Sequence, residues 1–277
     1  MGVYARWILS PLRLPISPHQ HGSILTPDRA DVKLTTADFQ LIIYTVRFMS
    51  LPDNSIGNEI RILYNDNDIA VCIKPRGYLS EASLNEPEKS LPRHLAYRLK
   101  LPEGSVYTVH RLDRETYGIM VFALNKKSAA KLSAAVQAGQ FRKSYVALVH
   151  GTPEPASGTM SDLLFKDTAK GKVYVVTRLR RGVKQAELFY ETLSMNEGIS
   201  LVRIDLVTGR THQIRVQFAS RHWPLFGDRK YGAKDGYSSL ALCASKLTFP
   251  HPSTGKTVEF SIDPYFDTST RNESESE

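Results

Sequence analysis

The stretch His110-Arg-Leu-Asp-Arg-Glu-Thr-Tyr-Gly118 is dense in charged and polar side chains and runs straight into the apolar Ile119-Met-Val-Phe-Ala123. A short apolar run entered through a glycine reads as a buried strand. The polar stretch is then a loop that feeds a sheet, and it sets one carboxylate, Asp113, between Arg111 and Arg114. Neighbouring cations favour the ionised form of a carboxylate, and an ionised, held carboxylate is a nucleophile or a general base. The same residues also read as a turn whose polar groups bond one another and the loop's own backbone.

A second stretch, Thr208-Gly-Arg-Thr-His-Gln-Ile-Arg215, crowds Arg, His and Gln beside another strand. A bland surface turn gives no reason to spend so many large polar groups. From Thr211 onward Ile214 and Phe218 are four apart, which predicts one or two helical turns capped by Thr211. Arg215 then lies near core residues, where an unpaired guanidinium is costly, and Asp113 is the candidate partner.

Around these stretches the chain reads mainly as strands. Asp68-Ile-Ala-Val-Cys-Ile-Lys-Pro75 is an apolar run closed by a turn at Pro75-Arg-Gly77. Leu132 with Ala129, Ala135 and Val136 forms an apolar stripe at helical spacing, with Ser128 as the expected cap and Gly139 as the expected stop. Phe141 to His150 returns to strand chemistry, placing Phe141, Lys143, Tyr145, Ala147 and Val149 on one face. Leu201 to Val207 alternates with Val202, Ile204 and Leu206 inward, and residues 173 to 190 look hairpin-like. These elements predict an α+β fold: a mixed, largely antiparallel sheet with flanking helices.

The 277 residues carry 36 Lys+Arg against 28 Asp+Glu, a formal charge of +8, with 42% apolar residues. That composition excludes a disordered or collagen-like chain, and no apolar run is long enough to span a bilayer as a helix. Residues 1–57 hold five basic and four acidic side chains and residues 263–277 one against five, which leaves 30 basic and 19 acidic in residues 58–262. The domain expectation follows: an N-terminal extension over 1–57, partly disordered, one folded domain over 58–262, and an acidic flexible tail over 263–277. Prolines and Arg13 interrupt any secretory h-region near the N-terminus. Cys72 and Cys243, the two cysteines, lack CxxC spacing, so a reducing compartment is the default. Phosphate-loop, GxGxxG, HExxH and GxSxG patterns are missing, which removes most support for nucleoside triphosphates, dinucleotides, zinc proteolysis and serine nucleophiles.

His110 to Gly118 resembles the HRLDxxTSG signature of the RluA family of pseudouridine synthases. The other motifs follow that family's order: Lys74-Pro-Arg-Gly77 is similar to its KPxG segment, and Lys143-Ser-Tyr-Val-Ala-Leu-Val-His-Gly151 to its KxYxAxVxG strand. Gly209-Arg-Thr-His-Gln-Ile-Arg-Val216 is similar to GRxHQIRV and Pro224-Leu-Phe-Gly-Asp-Arg-Lys-Tyr-Gly232 to PxxGDxxYG. Leu240-Ala-Leu-Cys-Ala244 with Leu247, Phe249, His251 and Pro252 resembles the closing LxLHAxxLxFxHP. Departures are Tyr117 for Ser, Gln217 where His is frequent, Ser239 where Arg is frequent, and Cys243 for His.

The resemblance implies an isomerase that converts uridine in RNA, ribosomal large-subunit RNA or tRNA, into pseudouridine. The bond from base nitrogen to ribose breaks, the uracil turns, and carbon 5 joins the sugar. It implies Asp113 as nucleophile, Tyr145 as a platform for the uracil and base for the proton on carbon 5, and Arg215 as the partner holding Asp113 ionised. His110, Arg111, Arg114, Arg210 and His212 are the expected RNA contacts, and Arg178, Arg180, Arg181 and Lys184 form a cluster that reads equally as a phosphate grip or a plain loop. The expectation includes a cytoplasmic, monomeric enzyme with RNA as partner and no cofactor, metal or membrane. Two rivals are an RNA-binding module without activity and a sugar hydrolase. The hydrolase needs a second acid beside Asp113, a place that Glu115 at two residues' separation fills poorly.

Overall fold

The computed structural model describes residues 41–46 and 60–266, so the expectations for the earliest residues and for most of the acidic tail lie outside the described residues. In chain order the elements are β1 (Leu41–Val46), β2 (Arg61–Asn65), β3 (Ile69–Lys74), α1 (Leu91–Arg98), β4 (Tyr107–Thr108), β5 (Tyr117–Ala123), α2 (Lys126–Gln137) and β6 (Arg142–His150). There follow β7 (Ser157–Asp167), β8 (Lys172–Val176), β9 (Val183–Asn196), β10 (Ile199–Leu206), α3 (Gln213–Ala219), β11 (Leu242–Pro250) and β12 (Thr257–Ile262). Among the described residues these strands form one sheet, ordered β2-β3-β5-β11-β6-β10-β9-β7-β8, with β4 beside β5 and β12 between β11 and β1. The pairs β5–β11 and β1–β12 are parallel, and the others are antiparallel. The α+β architecture, mixed and largely antiparallel, is the one read from the sequence. β1 lies before residue 58, so the sheet extends past the boundary drawn at 57.

Period-two alternation divides the side chains between two cores. Met120, Phe122, Tyr145, Ala147, Val202 and Ile204 face α1 (Leu91, Leu95) and α3 (Ile214, Phe218). Tyr117, Ile119, Val121, Cys243 and Phe249 face Leu132 of α2 on the other side. β11 serves both halves of the sheet: Cys243 and Ala244 pair with β5, the register against β6 shifts between Ala244 and Lys246, and Lys246 onward pairs with β12. An irregularity of this kind bends a strand and re-aims its neighbours.

The contact between β5 and β11 demands a glycine. Gly118 has φ +131°, and a Cβ there would stand 2.3 Å from the Ala244 carbonyl oxygen. The loop carrying Asp113 therefore ends where two strands press backbone against backbone.

Four local expectations change. Asn125, not Ser128, caps α2, accepting from the Ser128 N–H at 2.8 Å; the Ser128 hydroxyl instead donates to Asp68 at 2.6 Å. α2 does end in Ala138 followed by Gly139 at φ +68°. α3 starts from His212 in the left-handed region at φ +50° with no side-chain cap, so Thr211 does not cap it. Phe141 precedes β6 and packs in the second core, stacked on Phe249 at 5.3 Å, away from the face of Tyr145. Residues 173 to 190 are not a hairpin either: β8 and β9 flank β7, each hydrogen-bonded to it, and the loop between them crosses β7 beside Phe165.

Candidate active site

α3 is seven residues long, and Gln213 through Phe218 are all buried. A helix buried on every side must satisfy its polar groups internally, and this one does so except at the Gln217 side-chain oxygen, which is buried without a partner. The Gln213 carbonyl oxygen accepts from the Thr208 hydroxyl at 2.8 Å and the Arg210 N–H at 2.9 Å, while its amide donates to the Glu187 carbonyl at 3.0 Å. Gln217 donates to the Met160 carbonyl and to Asp162. The polar run 208–215 is thus a folded joint, and its left-handed residue His212 turns the chain so that Arg215 enters the core on the face of Tyr145.

Arg215 meets two carboxylates there. Its Nε and Nη2 donate to Asp228 at 2.7 and 2.8 Å, a two-pronged pair in which Asp228 is 1% exposed. Its Nη1 lies 3.6 Å from Asp113 Oδ2. Burial works against the guanidinium's charge, but hydrogen bonds and charge from Asp228 and the charge of Asp113 outweigh it, so its pKa is raised. The expected partner Asp113 is real but secondary: Asp228, 13 residues along the chain, takes the fork. Tyr231 lies beneath, with its ring centroid 5.2 Å from the Arg215 guanidinium carbon.

The Asp113 loop is held from the opposite side. Lys74 is fully buried, and its Nζ donates to the carbonyls of Pro75, Tyr78 and Arg114 at 3.0, 2.9 and 2.8 Å. Burial lowers its pKa to about 7 against the pull of Glu115 and Asp113. The Ser80 hydroxyl donates to the Leu112 carbonyl and accepts from the Leu112 N–H, and Gly77 N–H donates to the Arg114 carbonyl. Asp113, its side chain 24% exposed, is presented by backbone pinned on both sides.

Tyr145 rises from β6 between Ile204 and Ala244 of its neighbours and is 5% exposed. Burial, with the negative charge of Asp113 added, pushes its phenol well above the ordinary value. Asp113, Tyr145 and Arg215, from a loop, a strand and a helix, thus gather on one face of the sheet. His212 joins them: its Nε2 is 3.9 Å from Asp113, its Nδ1 2.9 Å from the Tyr231 hydroxyl, and burial lowers its pKa.

The other expected RNA contacts divide. His110 is 6% exposed and its Nε2 accepts from the Val121 N–H at 3.1 Å. Burial depresses its pKa far below the ordinary value, so it is a neutral core residue rather than an RNA contact. Arg111 pairs with Glu81 at 3.1 Å, and Arg114 forks onto Glu86 at 2.8 Å from both nitrogens. Arg210 is exposed, its Nε donating to the Gln185 carbonyl. Tyr117 faces the second core, where its hydroxyl meets the Tyr265 backbone and its ring lies 4.3 Å under the Arg76 guanidinium. It pairs in register with Cys243, so two departures from the family pattern are neighbours and neither lies on the face of Asp113. Lys74 and Asp228 are the site residues that reading of the sequence passed over, although both stand inside quoted motifs.

Comparison with known proteins agrees with this arrangement. The family model described as RNA pseudouridylate synthase matches residues 68–220. An RNA pseudouridine synthase of Mycoplasma genitalium is 32% identical over 217 residues, 76% of this chain and 69% of that one. The ribosomal large subunit pseudouridine synthase D of Vibrio cholerae is 30% identical over 220 residues, 73% of this chain and 66% of that one. The solved human RNA pseudouridylate synthase domain containing 1 shares the fold, with a TM-score of 0.63 and 22% identity over 80% of this chain and 94% of that one. With its motifs in order, its strands and helices in this fold and more than half its length matched by the family model, the chain belongs to the RNA pseudouridylate synthase family, of the RluA type, and is an isomerase acting on RNA.

Proposed function

We propose that this enzyme isomerises specific uridines of ribosomal large-subunit RNA or tRNA, with Asp113 as its nucleophile. The observation that carries the reading is the convergence of a partly exposed carboxylate, a buried guanidinium and a buried phenol on one sheet face. The carboxylate bonds to carbon 1′ as the bond from N1 breaks and uracil leaves as its anion, or it takes the 2′ proton to give a glycal and later returns it. The uracil turns, carbon 5 bonds to carbon 1′ as the bond to Asp113 breaks, the carbon-5 proton passes to Tyr145, and N1 takes up a proton. Arg215, fixed by Asp228, keeps a cation beside Asp113. A target base must leave its stack to enter, and the ring of Tyr145 offers a face that offsets part of that cost.

Tyr145 is protonated in the free enzyme, so a base role asks it to lose that proton after RNA binds. Bonding of Asp113 to the sugar removes the carboxylate charge that opposes this loss. Tyr145→Phe keeps the ring and removes the hydroxyl: kcat should fall by roughly 100-fold or more with little change in KM. An unchanged kcat would remove the base assignment.

The site groups supply this chemistry themselves, which supports an enzyme without cofactor or metal. The reading includes a monomer, since the three groups come from one chain. The buried free thiols of Cys72 and Cys243 support a cytoplasmic setting, where thiols remain reduced. Incubating the pure enzyme with unmodified ribosomal RNA and tRNA transcripts, then mapping pseudouridine by carbodiimide-dependent reverse-transcription stops, tests the substrate. New stops at discrete uridines are expected; none in either RNA would contradict it.

A further inference from the structure

The two rims of the site differ in charge compensation. On the Asp113 side the exposed Arg111 and Arg114 are each matched by a glutamate, Glu81 and Glu86. On the α3 side, residues 166–184 carry seven Lys or Arg against Asp167 alone. Arg178, Arg181 and Lys184 are exposed there, and among the described residues none has a carboxylate within ion-pair distance.

Aromatic rings run through the same region. Lys172 Nζ lies 5.4 Å from the centre of the Tyr231 ring and 5.8 Å from that of Tyr174. Tyr174, 36% exposed, is the register partner of Phe165, and the Arg180 guanidinium carbon lies 4.8 Å from the centre of the Phe165 ring. Tyr231 joins this line to the active site: its hydroxyl accepts from the Val173 N–H of β8 at 2.9 Å, and Arg215 stands over its ring. Lys172, near both rings, links Tyr231 on the α3 side to Tyr174, which with Phe165 faces away from α3, so rings and cations lead from Arg215 around the edge strand β8 to the loop beside Phe165.

Free cations track phosphates, and exposed rings alternating with them stack unpaired bases. We propose that the outer part of β7 and β8, with the 177–182 loop and Lys184 at the start of β9, binds single-stranded RNA flanking the target uridine. This rests on the reading of RNA as substrate and assigns the strand's path to the β8 edge, not to the Arg111–Arg114 rim. The loop that sequence alone leaves undecided becomes a phosphate-binding element.

The test measures affinity for a fluorescein-labelled, uridine-rich single-stranded oligoribonucleotide by anisotropy over a salt series, beside tritium release from RNA. The triple variant Arg178→Ala, Arg181→Ala, Lys184→Ala should lose roughly tenfold in affinity at low salt. Its slope of log K against log salt should flatten by about 2, near 0.7 per lost contact on a single strand. Replacing the same three positions by Lys, which leaves Lys184 as it is, should restore the slope. Tyr174→Ala should weaken binding about fivefold or more at an unchanged slope, and Lys126→Ala with Lys127→Ala on α2 should bind as the parent does. A triple variant that binds like the parent, while the parent still releases tritium, overturns the surface assignment alone. A parent that neither binds nor turns over RNA overturns both.

Discussion

Asp113 depends on a partner that a pairwise reading of charges does not reveal. Arg215 was expected to belong to Asp113, yet its best geometry is spent on Asp228, and what reaches Asp113 is one nitrogen at 3.6 Å. Sequence shows that a buried arginine needs a carboxylate but not which of two takes the fork. Asp228→Asn should therefore cost on the order of 3 kcal/mol in urea unfolding, because a buried guanidinium loses its compensating charge, and should lower kcat by displacing Arg215; unchanged stability and kcat would contradict this. His110 gives a pH prediction. Its folded pKa is depressed by burial below the ordinary 6.5, so below pH 6.5 the unfolded chain binds a proton that the folded chain refuses, and stability falls with pH. The loss between pH 6.5 and 5.5 should be about 1 kcal/mol by denaturant titration, and His110→Leu should reduce that slope. A parent profile that stays flat there would show His110 protonating in place.

At the scale of elements, continuous apolar runs were sufficient for β3 and β5, whose two faces meet both cores, and period-two or period-3.6 patterns for β6, β10, α2 and α3. Pairing was less legible. β7, β8 and β9 are each plausible neighbours by composition, and only the packing of Val173 and Ala186 with Val216 and Tyr231 shows how they wrap α3. The cap of α2 was missed by three residues because Ser128 is already committed to Asp68. The β5–β11 contact is the junction with least tolerance. Gly118→Ala places a methyl against the Ala244 backbone in a conformation that side chains disfavour, and should cost at least about 2 kcal/mol in thermal or urea unfolding. A variant as stable as the parent would mean that β5 and β11 separate without penalty.

For the whole molecule, the formal charge of +8 is too blunt a quantity to identify a partner, since part of it is cancelled locally and part is buried. Arg215 is internal, Arg111 and Arg114 are matched by glutamates, and among the described residues Arg178, Arg181 and Lys184 beside β8 have no ion-pair partner. The motifs that carry Asp113, Tyr145 and Arg215 each sit where a loop, strand or helix start delivers one side chain to the same face of the sheet. They marked RNA contacts poorly, since His110 and Lys74 share those motifs for structural work: one accepts a strand N–H and the other binds three carbonyls. The central claim is that the carboxylate of Asp113 performs the isomerisation. Its most direct test is release of tritium from RNA labelled at carbon 5 of uridine by Asp113→Asn, with RNA affinity measured on the same preparation. The account predicts binding like that of the parent with release at background, whereas release at the parent's rate would contradict it.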